Sequence, residues 1–277
     1  MEKVGNILTY FKTALANQFD EQEIYSWAYL SINHILGFSK SDCILRRNEP
    51  LTEETQNQFL QIVEELKSEK PIQYILRVAD FYGLTLKVNE NVLIPRPETE
   101  ELVHWILQNK FASALDIGTG SGCIAISLAK NTAASISAID VSNKALKVAE
   151  ENAKSNGVVI NFFQKNIFKT TSLEKVDIIV SNPPYVLDEE KSQMQKNVVA
   201  FEPHLALFVS NNNPLFFYEK IGQLATKSLN CSGKLFFEIN EQYAQEITTL
   251  LTDFGFVNIE LKKDINDKDR MIKAVWK

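Results

Sequence analysis

Behind Thr52, Phe59, Ile62, Val63 and Leu66 recur at i, i+3, i+4 and i+7, the spacing of one buried helix face. Pro50 stands just before, and Thr52 is the expected N-cap. Ile24, Trp27, Ala28, Ile32 and Ile35 make a second stripe that stops before Gly37, a good helix terminator. Residues 1–70 therefore predict a small helical domain. From Pro71 the period changes. Phe81-Tyr82-Gly83-Leu84-Thr85-Leu86-Lys87-Val88 alternates, and Asn89-Glu90-Asn91 reads as a turn before Val92-Leu93-Ile94, so residues 71–95 predict a β-hairpin linker. Pro95 and Pro97 stop that strand, and Thr99 is placed to cap a helix carrying Leu102, Val103, Trp105 and Ile106.

From residue 96 to 277 strands and helices alternate, the pattern of an α/β doubly wound sheet. Strands are expected at 112–116, 135–140, 161–165, 176–181 and 234–239. Helices are expected at 123–130, behind Ser142 as far as Gly157, at 214–228 and at 241–254. Residues 257–261 and 271–276 read as a closing antiparallel hairpin.

Composition adds exclusions. No apolar run approaches the roughly 18–20 residues needed to span a bilayer, and the N-terminus lacks the basic-then-apolar layout of a signal peptide. Cys43, Cys123 and Cys231 are odd in number and widely spaced, which fits a reducing cytoplasm without disulfides or zinc. Three scattered histidines give no metal-ligand spacing either, and no metal is expected. The net charge is −6, whereas grip on bare nucleic acid needs a basic surface.

Four segments carry chemistry. Asp116-Ile117-Gly118-Thr119-Gly120-Ser121-Gly122 lies between a predicted strand and helix, where glycines permit close backbone approach and a helix N-terminus offers free N–H groups. Its third glycine comes one residue early for a pyrophosphate fingerprint. Asp116 suits a ligand with a positive amino group. Asp140 ends the second strand, where an acid takes the two hydroxyls of a ribose. Asn166-Ile167-Phe168 ends the third, where a polar side chain meets an adenine edge and an apolar one its face. Together these describe a nucleoside with a charged tail, and S-adenosyl-L-methionine (S-adenosylmethionine) fits. Asn182-Pro183-Pro184-Tyr185 follows the apolar run 176–181. The prolines remove backbone donors and fix φ, leaving acceptors for a planar NH2: the Asn182 side-chain oxygen and the Pro183 carbonyl. Tyr185 is expected to stack on a flat group.

With these motifs the chain resembles the HemK/PrmC-type family, the glutamine-N5 methyltransferases of peptide-chain release factors. The likeness extends to Pro71-Ile72-Gln73-Tyr74-Ile75-Leu76, Phe81-Tyr82-Gly83, the run from Val92 to Glu100, Phe201-Glu202-Pro203-His204-Leu205-Ala206-Leu207, and Asp269-Arg270. It implies a class I S-adenosylmethionine-dependent methyltransferase with a seven-stranded sheet over residues 96–277, and a helical domain over 1–70 that docks the release factor. It also implies that Gly118, Thr119, Gly120, Ser121, Gly122, Asp140, Ile167 and Asn182 contact the cofactor. Asn182, Pro183, Pro184 and Tyr185 then hold the glutamine of a Gly-Gly-Gln motif on class-one release factors. Two positions depart from the family pattern: Arg77 stands where glycine is usual, and Asn166-Ile167 where Asp and an aromatic are common.

The main rival is an adenine-N6 methyltransferase on DNA or RNA, because adenine also presents a planar NH2. It needs a basic recognition region and a route for base flipping. Residues 1–70 carry 7 Lys+Arg against 11 Asp+Glu and offer neither. A nucleoside-binding regulator without catalysis is disfavoured by the intact Asn182–Tyr185 segment. The expectation is a monomeric cytoplasmic enzyme with a protein substrate.

Overall fold

A computed structural model describes residues 1–277 as two compact units, Met1–Arg77 with Lys196–Phe201, and Val78–Gln195 with Glu202–Lys277. In the first unit the predicted amphipathic stripes become α1 (Ile7–Leu15), α2 (Glu21–Leu36), α3 (Lys40–Leu45), α4 (Glu53–Lys67) and α5 (Ile72–Leu76). Asp20, Ser39 and Thr52 cap helices by accepting backbone N–H groups, and Gly37 ends α2 at φ 69°. Ile7, Phe11, Leu15, Ile24, Ala28, Ile32, Phe59 and Val63 are fully buried, with Phe11 and Phe59 edge to face at 6.3 Å. Trp27 and Ile35 are only half-buried.

Pro71 does not open the hairpin. Its ring pre-sets φ at a helix start, and the next five residues form α5, closed by Arg77 at φ 59°. That left-handed geometry favours glycine, so this arginine adopts it at some backbone strain. The hairpin is β1 (Val78–Phe81) and β2 (Leu84–Lys87), and its turn is Tyr82-Gly83 at φ 48° and 74°, a two-residue turn with both central φ positive. Asn89–Asn91 do turn, but Val92-Leu93-Ile94 forms no strand and runs as irregular chain into Pro95.

The second unit continues with α6 (Pro97–Leu107), β3 (Ser113–Ile117), α7 (Cys123–Asn131), β4 (Ser135–Asp140), α8 (Asn143–Ser155), β5 (Asn161–Gln164), β6 (Val176–Ser181) and β7 (Val186–Leu187). After α9 (Lys196–Phe201), which belongs to the first unit, come α10 (His204–Leu207), β8 (Phe208–Val209), α11 (Phe216–Ser228), β9 (Leu229–Glu238), α12 (Ala244–Asp253), β10 (Val257–Lys263) and β11 (Asp269–Val275). Seven strands form one sheet in the order β10-β11-β9-β6-β3-β4-β5. All pairings are parallel except those of β11 with β9 and β10.

Apolar residues on both faces explain why the strands read as continuous apolar runs. Ala114, Ile136, Ile178, Val180 and Phe236 pack on one face with α6, α7 and the hairpin. Their neighbours Leu115, Ile117, Ile179, Leu235 and Phe237 pack on the other with α11 and α12. The chain runs outward from β3 to β5, then returns to place β6 on the other side of β3. That reversal opens a crevice at the carboxyl ends of β3, β4 and β6, where open α/β sheets bind ligands.

Candidate active site

A cavity of ≈ 360 Å³ lies in that crevice, within the range of small-molecule sites. The glycine loop makes one wall: Gly118, Thr119, Gly120 and Ser121 line it, and Gly122 starts α7 from behind. Gly122 sits at φ 83°, and a Cβ there would meet Ile126 Cδ1 at 2.9 Å and Ala149 Cβ at 3.1 Å. The third glycine thus serves α7–α8 packing. Asn152, fully buried on α8, donates from Nδ2 to the Ser121 and Lys87 carbonyls (both 2.9 Å) and accepts from Lys87 N at 2.6 Å. It ties the loop to the hairpin. A polar residue on the buried side of an amphipathic helix was its only sequence signal.

Asp140 lies on the wall as expected, and it also staples the loop: Oδ2 accepts from Gly120 N (2.9 Å) and Oδ1 from Ser142 N (2.8 Å). Each oxygen retains a second lone pair, so the hydroxyls of a ribose can still be accepted. Burial raises its carboxyl above the usual range, partly offset by these backbone donors.

Asp116 is placed differently from the expectation. It lies behind the wall, 1% exposed, with Oδ2 accepting from Thr119 Oγ1 at 2.7 Å and Oδ1 without a partner. Burial, then the nearby Asp140, push its carboxyl up to about 7. A buried orphan acceptor beside a glycine loop is the arrangement a cationic group completes. A folded-state pKa raised above its unfolded value means the native carboxyl keeps its proton while the unfolded one has lost it. Asp116 therefore weakens the ligand-free fold as pH rises from about 4 to about 7. Asp116→Asn does not titrate. Its stability relative to wild type should grow by on the order of 4 kcal/mol between pH 4 and pH 8, measured by chemical unfolding of ligand-free protein. A gap that stays constant across this range would remove the proposed desolvation.

Asn166 and Ile167 both line the cavity, followed by Phe168, whose ring stacks on Phe216 at 4.2 Å. Asn166 Oδ1 accepts from Phe168 N at 2.9 Å. Its amino end adds donors that an Asp at this position would lack. Cys123 also lines the cavity, but burial pushes its thiol up to about 12, so it is no nucleophile at neutral pH.

Asn182 and Pro183 line this cavity and also a smaller one of ≈ 140 Å³ beside it. Pro184 faces only the larger, Tyr185 only the smaller. Tyr185 is not free to stack on a guest with its hydroxyl unconstrained: it donates to Glu238 Oε1 at 3.0 Å, and Asn240 Nδ2 donates to its carbonyl at 3.3 Å. Burial and the adjacent Glu238 raise the phenol far beyond its usual range, which excludes it as a base. Thr99 does not cap α6. The N-cap is Arg96, because Pro97 starts the helix at N1. Thr99, 2% exposed, donates to Glu238 Oε2 at 2.6 Å and accepts from Asn182 Nδ2 at 3.3 Å. Thr99 and Glu238 are functional residues the sequence reading missed. The available signal was an acid inside the apolar run Leu235-Phe236-Phe237-Glu238-Ile239.

Arg96 borders both cavities and pairs with buried Glu202 at 2.6 Å, while Ile94 N donates to the other Glu202 oxygen at 3.2 Å. The two family-like segments, Ile94–Pro97 and Glu202–Pro203, are thereby joined at the site. Arg270 Nε pairs with buried Asp264 at 3.1 Å and its guanidinium lies 5.9 Å from the Tyr185 ring.

A sequence-family model described as methyltransferase small domain matches residues 97–204, and one described as PrmC N-terminal domain matches residues 6–76. The release factor glutamine methyltransferase of Flavobacterium psychrophilum is 50% identical over 280 residues, spanning 98% of each chain. That of Bacteroides thetaiotaomicron is 38% identical, spanning 98% of this chain and 99% of its own. A methyltransferase structure from Pyrococcus furiosus shares the fold, with TM-score 0.54 at 17% identity over 81% of this chain and 98% of that one. Full-length identity of this order places the chain in the release factor glutamine methyltransferase family.

Proposed function

We infer that the protein transfers a methyl group from S-adenosylmethionine to the side-chain N5 of the glutamine in the Gly-Gly-Gln motif of class-one peptide-chain release factors. The observation that carries this reading is the position of Asn182 and Pro183, which line both cavities at once. A group held in the smaller cavity is thereby brought to the reactive end of the larger. S-adenosylmethionine, when bound, supplies an electrophilic methyl on a sulfonium.

The chain's own residues do the positioning. The glycine loop and Asp140 hold the ribose end, Asp116 holds Thr119 of that loop from behind, and Asn166 and Ile167 take the base. Asn182 Oδ1 and the Pro183 carbonyl accept the two amide hydrogens, which draws the nitrogen lone pair out of conjugation and aims it. Pro184 and Tyr185 keep that mouth rigid. Rate enhancement comes from orientation and fixed acceptors, and no strong base is needed because the proton can leave after transfer.

Residues 1–70 are the release-factor-docking domain in this reading, 71–95 the linker and 96–277 the catalytic domain. The enzyme acts as a cytoplasmic monomer in this reading, and the net charge of −6 speaks against a direct nucleic-acid substrate. No helix is long and apolar enough to cross a membrane. The adenine-N6 alternative is not favoured.

Purified protein with methyl-labelled S-adenosylmethionine should label a class-one release factor, and Gln→Ala in the Gly-Gly-Gln motif should abolish labelling. Labelling of DNA or RNA in place of the release factor would overturn the substrate assignment.

A further inference from the structure

Asn182 can serve a substrate NH2 only with its oxygen towards it. The two ends of a carboxamide have nearly the same shape, and the wrong end sets donor against donor. Something must therefore choose the orientation, and the only side-chain partner the structure gives the Asn182 amide is Thr99 Oγ1, at 3.3 Å from Nδ2.

Thr99 has a single hydroxyl hydrogen, and Glu238 takes it: Oγ1 to Oε2 is 2.6 Å. Towards Asn182 the hydroxyl is then an acceptor only, so the amino end of Asn182 must face it. Glu238 is itself held to this role. It is 1% exposed, and its other oxygen accepts from Tyr185 OH at 3.0 Å. Glu238 thus anchors both ends of the Asn182–Tyr185 segment, one directly and one through Thr99.

We propose that Thr99, fixed by Glu238, is a positioning residue that sets the amide orientation of Asn182, so that Oδ1 and not Nδ2 meets the substrate amino group. The proposal rests on the methyl-transfer reading and deepens it. Thr99 performs no chemical step, and its whole effect passes through Asn182.

Thr99→Val removes the hydroxyl at nearly constant volume. Its kcat for release-factor methylation should fall about 10-fold, as for loss of one buried hydrogen bond. The KM for release factor and the Kd for S-adenosylmethionine should stay within about twofold, because Thr99, although it borders the larger cavity, is 2% exposed and offers a ligand almost no surface. Thr99→Ser restores the hydroxyl and should recover most of the lost kcat. If Thr99→Val does not fold, Thr99→Ala is the second variant, with the same expected split.

Unchanged kcat in the folded variant, parallel loss of kcat and cofactor affinity, or no recovery with Ser would each overturn the proposal. The wild type is the reference that separates the two readings. If it methylates an adenine and not a release factor, the substrate assignment fails. The Thr99 comparison is then run on that acceptor, since any planar amino group needs the same oxygen.

Discussion

Asn182→Ala should abolish nearly all turnover, lowering kcat by about 10²- to 10³-fold, the range for removing one fixed polar group that acts on the reacting atoms. Cofactor Kd should change little. Asn182 borders the larger cavity at its junction with the smaller, and its side chain bonds to Thr99, not to Asp140 or the glycine loop. The amide nitrogen of a glutamine is a poor nucleophile because its lone pair is conjugated with the carbonyl. In the proposed mechanism Asn182 Oδ1 accepts one of its hydrogens, and the substitution is expected to leave the nitrogen both misaligned and conjugated. Single-turnover methyl transfer at saturating cofactor, beside calorimetric Kd, measures the two effects apart. If turnover persists at wild-type rate, the acceptor role is wrong. If binding and turnover fall together, Asn182 is part of the cofactor cradle and not of the acceptor mouth.

The reverse split is expected for Asp140→Ala. Cofactor Kd should rise about 100-fold, while kcat at saturating cofactor should fall only a few-fold. Two losses combine. The ribose hydroxyls lose a charged acceptor, worth about 1.5–3 kcal/mol per hydrogen bond. The Gly120 and Ser142 N–H groups, held at 2.9 and 2.8 Å, are also released, so the loop that shapes the wall loosens. None of these groups touches the acceptor mouth. Equilibrium titration against wild type tests this, and an unchanged Kd would reduce Asp140 to a loop staple without a ligand role.

Much of this site is legible along the chain because its parts are local. The glycine loop, Asp140, Asn166-Ile167 and Asn182–Tyr185 each start at or within two residues of the end of a strand, and the carboxyl ends of parallel strands meet by rule. The misses share a cause. Thr99 reads as a cap because capping is the commonest local task of a threonine near a helix start, yet Pro97 already occupied N1 and the hydroxyl was free to reach Glu238. Tyr185 reads as a ring with a free hydroxyl until Glu238 is seen to accept from it. The hairpin turn was misplaced to Asn89–Asn91, since Tyr82-Gly83 lies inside an alternating run and its positive φ values leave little trace in the pattern.

By itself the sequence determined the strand and helix alternation, the crevice it implies, the ligand class, and, through its motifs, the family. These follow from short-range periodicity and from residues within a few positions of a strand end. Only the tertiary structure decided which end of Asn182 faces Thr99, that Asp116 is buried with an unpaired oxygen, and that Asn152 holds the loop. Thr99 lies 83 residues from Asn182 and 139 from Glu238. Hydrogen bonds across such separations are set by strand order and by the docking of α6 on the sheet, and no local pattern encodes them.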